Sequence, residues 1–141
     1  MQQAILIFAL IFMTERPDDA QVLRVPGDYP RIQAAIDVAV EGSTVLVAPG
    51  HYTECLDLLG KAVTVRSEAG PDKTTINGRC GGTVVCMVHG EGANTVIEGF
   101  VLTGGVGDAG FGGYRNGGGL RIEGASPTIR RCIVTGNTAD L

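Results

Sequence analysis

The residues of this 141-residue chain best suited to chemistry are four cysteines, two histidines and one glycine-rich stretch. Cys55, Cys80, Cys86 and Cys132 are separated by 24, 5 and 45 residues. Cysteine zinc sites are built from close pairs such as C-x2-C, with histidine often completing the set, and neither feature is present in this spacing. Small buried or half-buried thiols are the plainer reading. Four cysteines allow three full disulfide pairings, and spacing does not choose among them. His51 follows Pro49-Gly50 in a turn, and His89 follows a strand-like run. An activated nucleophile needs a base within hydrogen-bond reach, and nothing in the sequence ties a serine or cysteine to either histidine. Residues 105–110, GVGDAG, spell G-x-G-x-x-G after a strand. The dinucleotide fingerprint works by aiming a pyrophosphate at a helix N-terminus, and no helical pattern follows here. The same glycines followed by Asp108 make half of a calcium-binding glycine-rich repeat, but such sites take ligands from stacked copies. Tyr114 and Arg115, at the tip of this stretch, are the one outward pair that could stack on a sugar or anchor a partner.

The composition narrows the choices for whatever scaffold carries these residues. The chain has 22 Gly, 5% aromatic residues and no Trp, so its core must be built from Val, Ile, Leu and Ala. Net charge is −4, and the Lys and Arg residues are scattered rather than gathered in a stripe. A nucleic-acid footprint of clustered basic residues is therefore absent. At this length one domain with a real core is expected.

One helix is evident. In DYPRIQAAIDVAVEG, Pro30 suits a first helical position, and Ile32, Ala35, Ile36, Ala39 and Val40 recur on one face. Gly42 is placed to end it. From there on the pattern changes to short β-branched runs punctuated by Gly and Pro: STVLVAPG, CLDLLG, AVTVRS, TTING, TVVCMV, TVIEGFVLTGG, LRIEG and TIRRCIVTGN. These read as strands. TVIEGFVLTGG at 95–105 returns as PTIRRCIVTGN at 127–137. Three columns follow from aligning such phrases: Val45/Val47, Val63/Val65, Val85/Met87 and Leu120/Ile122; then Leu56/Leu58, Ile76, Ile97 and Ile129; then Phe100/Leu102 and Cys132/Val134. The step is near twenty residues, lengthened to 32 between Ile97 and Ile129 by the stretch 104–119, which holds nine Gly. A period of this size with short strands and no internal helix predicts a solenoid, in which apolar sides stack on their own copies. The helix is placed to cover its first coil. In this register Cys132 points inward, while Cys55 and Cys86 point outward, Cys86 between Thr64 and Arg121. A disulfide would then draw on Cys55, Cys80 and Cys86 before Cys132.

The run VPGDYPRIQAAIDVAVEGSTVLVAPGHYTECLDLLGKAVTVRS resembles the opening of the right-handed parallel β-helix proteins of the pectin-lyase-like superfamily. IEGFVLTGG, NGGGLRI and SPTIRRCIVTGN resemble the repeats of large secreted bacterial surface proteins of that type. The resemblance spans about residues 24–140 and implies an all-β fold: a right-handed parallel β-helix with one N-terminal capping α-helix, the handedness coming from the resemblance alone. The expected layout is a single domain, with an apolar segment at 1–23, a capping strand and helix at 24–42, and coils at 43–141 carrying the long glycine-rich loop 104–119. Catalysis does not carry over. The Gln, paired Asp and Arg motifs of pectin esterases lie in coils beyond those matched here. Asp57, Glu98 and Glu123, the nearest offers for a pectate-lyase-like calcium site, fall in different columns or lack aligned partners. No catalytic residue, cofactor or metal ligand is assigned.

Residues 4–13 are ten consecutive apolar residues, too few to span a bilayer as a helix and similar to the core of a secretory signal. No Lys or Arg precedes the run, and no small-x-small cleavage site follows it. Ile5, Leu6, Ile7, Phe8, Leu10, Ile11 and Phe12 are candidate contacts with another subunit. TGNTAD would run on into a further coil, and an open sheet edge invites pairing. The expectation is a non-catalytic module that self-associates as a dimer or trimer through the apolar segment, the open coil or both, in a secreted or cell-surface setting. The alternative is a polysaccharide-binding protein or, less readily, a pectate-lyase-like enzyme.

Overall fold

A computed structural model describes residues 19–109 and 113–139. The apolar run with Ile5, Leu6, Ile7, Phe8, Leu10, Ile11 and Phe12 lies outside the described residues. The chain is all-β apart from one short helix. Strand β1 (Val22–Val25) is followed by α1 (Ile32–Val38). Then come β2 (Thr44–Val47), β3 (Gly50–Thr53), β4 (Leu56–Asp57), β5 (Thr64–Ser67), β6 (Thr74–Asn77), β7 (Val85–Met87), β8 (Val96–Glu98) and β9 (Val101–Thr103). The remainder are β10 (Asp108–Ala109), β11 (Arg115–Asn116), β12 (Leu120–Ile122), β13 (Thr128–Arg130) and β14 (Ile133–Val134).

Three of the four sheets are wholly parallel. The first has the order β1-β2-β5-β8-β13, the second β3-β6-β9-β14 and the third β4-β7-β12. From β2 onward the chain visits first, second and third sheet in turn and then begins again; only the antiparallel pair β10–β11 interrupts this circuit. Alternation does the positioning. In β2 and β5 every second residue is buried, and the next faces out. Val45 lies on Val65, Val65 on Ile97, and Ile97 on Ile129. Tyr52, Ile76, Leu102 and Val134 form the inward column of the second sheet, and Leu56, Val85 and Leu120 that of the third. These columns meet in a single core filled by Val, Ile and Leu, with Phe100 the largest fully buried side chain.

The column assignments need two corrections. Val85/Met87 do not continue the Val45–Val65 series, because Val85 pairs with Leu56 in the third sheet. Ile76 and Ile97 do not share a column either: Ile76 pairs with Leu102. A period of twenty holds from Thr44 to Thr64, but the next partner of Thr64 is Val96. The longer circuits absorb the extra residues at their corners, where the alternation inside strands does not register them. The 104–119 stretch is likewise more than a loop, since Asp108–Ala109 and Arg115–Asn116 pair as a hairpin.

The helix is shorter than its pattern. Arg31 is extended (φ −132°, ψ 147°), so Pro30 lies outside, and Ala39 is extended again, three residues before Gly42. No local side chain caps its start. Glu54, from the corner between β3 and β4, takes that place. Its two carboxylate oxygens accept the amides of Ile32 (2.9 Å) and Gln33 (3.0 Å). At the other end the Lys61 ammonium donates to the carbonyls of Ile36 (2.8 Å) and Asp37 (2.7 Å). Opposite charges thus meet the matching ends of the helix dipole. Gln33 donates to the carbonyl of Asp57 (3.0 Å) and accepts its amide (2.8 Å), pairing with β4 as a neighbouring strand would. Ile32, Ala35 and Ile36 are buried beneath. The helix therefore covers this end of the core, as its apolar face implied.

Candidate functional site

The outer face of the third sheet gathers the chemistry-bearing side chains. In β4 and β7 the residues flanking the outward position are buried, which leaves Asp57 and Cys86 outside. Register stacks Asp57 on Cys86 and Cys86 on Arg121. Thr64, expected as one neighbour of Cys86, belongs to the first sheet; Asp57 holds that position. His89 Nε2 lies 3.4 Å from Asp57 Oδ2, both side chains well exposed. Asp57 Oδ1 also accepts the amide of Leu59 (2.9 Å), whose φ of 58° is left-handed. Arg121 grips Glu123 with two bonds, 2.8 and 3.2 Å. That contact raises the guanidinium pKa and lowers the Glu123 pKa.

Asp108 enters from the hairpin. Its Oδ2 accepts the Cys86 thiol at 3.1 Å, and its Oδ1 accepts the Thr83 amide at 3.2 Å. Burial, followed by the bond to Asp108, pushes the Cys86 pKa up to about 12. Burial alone would raise the Asp108 carboxyl; the bonds from Cys86 and Thr83 outweigh it and hold this group below the usual range. Cys86 is thus kept as a neutral donor, the opposite of an activated thiolate. Among the described residues no group of three or more His, Cys, Asp or Glu is placed to hold a metal ion.

The other candidate residues are dispersed. Cys55 and Cys80 form a disulfide with Cα atoms 6.0 Å apart, which leaves Cys86 and Cys132 as free thiols. Cys132 packs against the core. His51 sits on β3, beside Thr75 in the second sheet. Glu98 lies on β8 and pairs with Arg130 (2.9 Å), away from Asp57 and Glu123. Tyr114 is exposed, and Arg115 is tied into the hairpin by a bond to the Gly107 carbonyl (3.1 Å). Sequence reasoning missed the Asp108–Cys86 contact and the His89–Asp57 contact. Outward parity was the available signal, but using it required circuit lengths that the sequence did not reveal.

A second surface is apolar. Met87 and Leu102 are fully buried, yet Ile122 and Val134, which stack on them, are 42% and 48% exposed. Ile133 beside them is exposed as well. The far edges of β12, β13 and β14 carry no further strand among the described residues. No helix among these residues is long and apolar enough to cross a membrane. No protein family, no curated protein and no solved structure matches this chain.

Proposed function

We propose that the chain is a right-handed parallel β-helix of the pectin-lyase-like type and a non-catalytic module that works by assembly, a second copy pairing against the open edge of β12, β13 and β14. The observation carrying this reading is the contrast between Met87 and Leu102, fully buried, and Ile122 and Val134, stacked on them but left about half exposed. Three adjoining strand edges around an apolar roof offer both unpaired backbone groups and hydrophobic area. A stable interface needs roughly 1,200–2,000 Å² in total, and the apolar 4–13 run is available to add to it. The Cys55–Cys80 disulfide suits a secreted or cell-surface setting.

Light scattering on a sizing column, over a range of protein concentrations, tests this. The expected result is a dimer that Val134→Lys converts to monomer, with unfolding free energy changed by no more than about 0.5 kcal/mol because the site is already half exposed. A monomer at every concentration sinks the reading. A second reading, glycan binding, is favoured by the exposed strip of Asp57, His89, Arg121 and Glu123 beside the hairpin that carries Tyr114. Calorimetric titration with pectin fragments decides it: heat of binding that Tyr114→Ala abolishes supports the strip, and no heat excludes that class of ligand.

A further inference from the structure

Three of the four cysteines lie at one place on the third sheet. Cys55 precedes Leu56 and faces out, on the same side of β4 as Asp57. Asp57 is the register partner of Cys86. Gly82 marks how tightly the space between them is filled. A β-carbon built there would meet Asp108 Oδ1 at 2.5 Å on one side and Cys55 Sγ at 3.8 Å on the other. Asp108 in turn accepts the Cys86 thiol at 3.1 Å. A disulfide sulfur, a carboxylate and a free thiol therefore adjoin on one outer face, with only a glycine between the first two.

A free thiol beside a disulfide is an exchange hazard. Attack requires the thiolate. Cys86 would lose its proton to solvent, and its sulfur lone pair would form a bond to Cys55 Sγ. The Cys55–Cys80 bond would break with its electron pair leaving on Cys80, which then takes up a proton. One disulfide and one thiol enter, and one of each leaves, so no oxidant or reductant is consumed.

We infer that Asp108 is a thiol guard: by taking the Cys86 proton as a hydrogen bond, it keeps Cys86 from attacking Cys55 and so fixes the Cys55–Cys80 pairing. Two further charges face the same sulfur. Asp57 opposes thiolate formation from one neighbouring strand, and Arg121 on the other is occupied by Glu123. Thr83 steadies Asp108 through its amide. The Asp108–Cys86 pair thus protects a covalent bond that neither residue belongs to.

Asp108→Asn tests the guard because the amide keeps the shape, removes the charge and can donate to a thiolate. Iodoacetamide labelling at pH 8, followed residue by residue by mass spectrometry, should show Cys86 reacting at least about tenfold faster than in the wild type. Non-reducing peptide maps of the variant should show Cys55–Cys86 with Cys80 free. An unchanged Cys86 rate together with an unchanged map overturns the inference. Cys132 is the internal reference, since it accelerates along with Cys86 only if the variant unfolds. In that event the wild-type chain decides. Its native Cys86 should label at least about a hundredfold more slowly than the same residue in urea, and a native rate within tenfold of the unfolded one overturns the guard.

Discussion

Gly105→Ala should remove most of the protein's stability, on the order of 4–5 kcal/mol or more of the roughly 5–15 kcal/mol typical of a domain. Gly105 is buried at the corner after β9, where successive circuits come closest. A β-carbon there would overlap the Gly118 carbonyl oxygen and would lie 2.9 Å from Val84 Cγ2. That carbonyl already accepts the Val84 amide at 3.0 Å, on the way into β7. The Gly105 amide donates to Asn137 Oδ1 at 2.9 Å, so the residue is held from the next circuit as well. The clash is therefore with backbone that is itself bonded, and it is not relieved by rotating a side chain. Gly92→Ala is the control, because a β-carbon there meets nothing within 4 Å. Urea unfolding followed by circular dichroism should leave Gly92→Ala within about 0.5 kcal/mol of wild type. Equal midpoints for the two variants would refute the account of the corner.

Glu54→Ala should be the next most damaging change, at about 3–5 kcal/mol. The carboxylate is 3% exposed and accepts two amides of the first helical turn, while Arg31 approaches its Oε1 at 3.7 Å. Alanine leaves the Ile32 amide buried without an acceptor, and an unmade buried bond costs more than a made one gains. Glu54→Gln keeps one acceptor and turns a donor toward the other amide, so about half that loss is expected. The same urea titration reads both, and a Glu54→Ala loss below about 1 kcal/mol would mean that water satisfies the helix start.

Much of this architecture was legible because alternation is local. That Val45 and Val47 face in, or that Asp57 and Cys86 face out, follows from parity within one strand. The stacking of Val45 on Val65, Ile97 on Ile129 and Leu102 on Val134 followed from matching phrases. What failed was the count between phrases. Residues 78–84 and 104–119 lengthen the circuits outside the strands, and a fixed step of twenty placed Val85 in the wrong sheet. The candidate site suffered most. Asp108 reaches Cys86 across 22 residues, His89 reaches Asp57 across 32, and Glu54 reaches Ile32 across 22. No propensity or cap rule acts at such separations. The Cys55–Cys80 pairing stayed open for the same reason, until the fold brought Cys80 beside Cys55.

The double clamp on α1 also sets an order in time. Seven residues make a helix well short of the ~12–15 that an isolated one needs to persist in water. Its two fasteners, Glu54 and Lys61, are made later than the segment they hold. At the usual ~5–20 residues per second of synthesis, the roughly 23 residues from Val38 to Lys61 take about 1–5 s to appear. Throughout that interval the nascent N-terminal portion has neither clamp, and its apolar face is open to whatever meets it first. The helix that closes this end of the molecule is therefore among the earliest parts to be synthesised and cannot be among the first to settle.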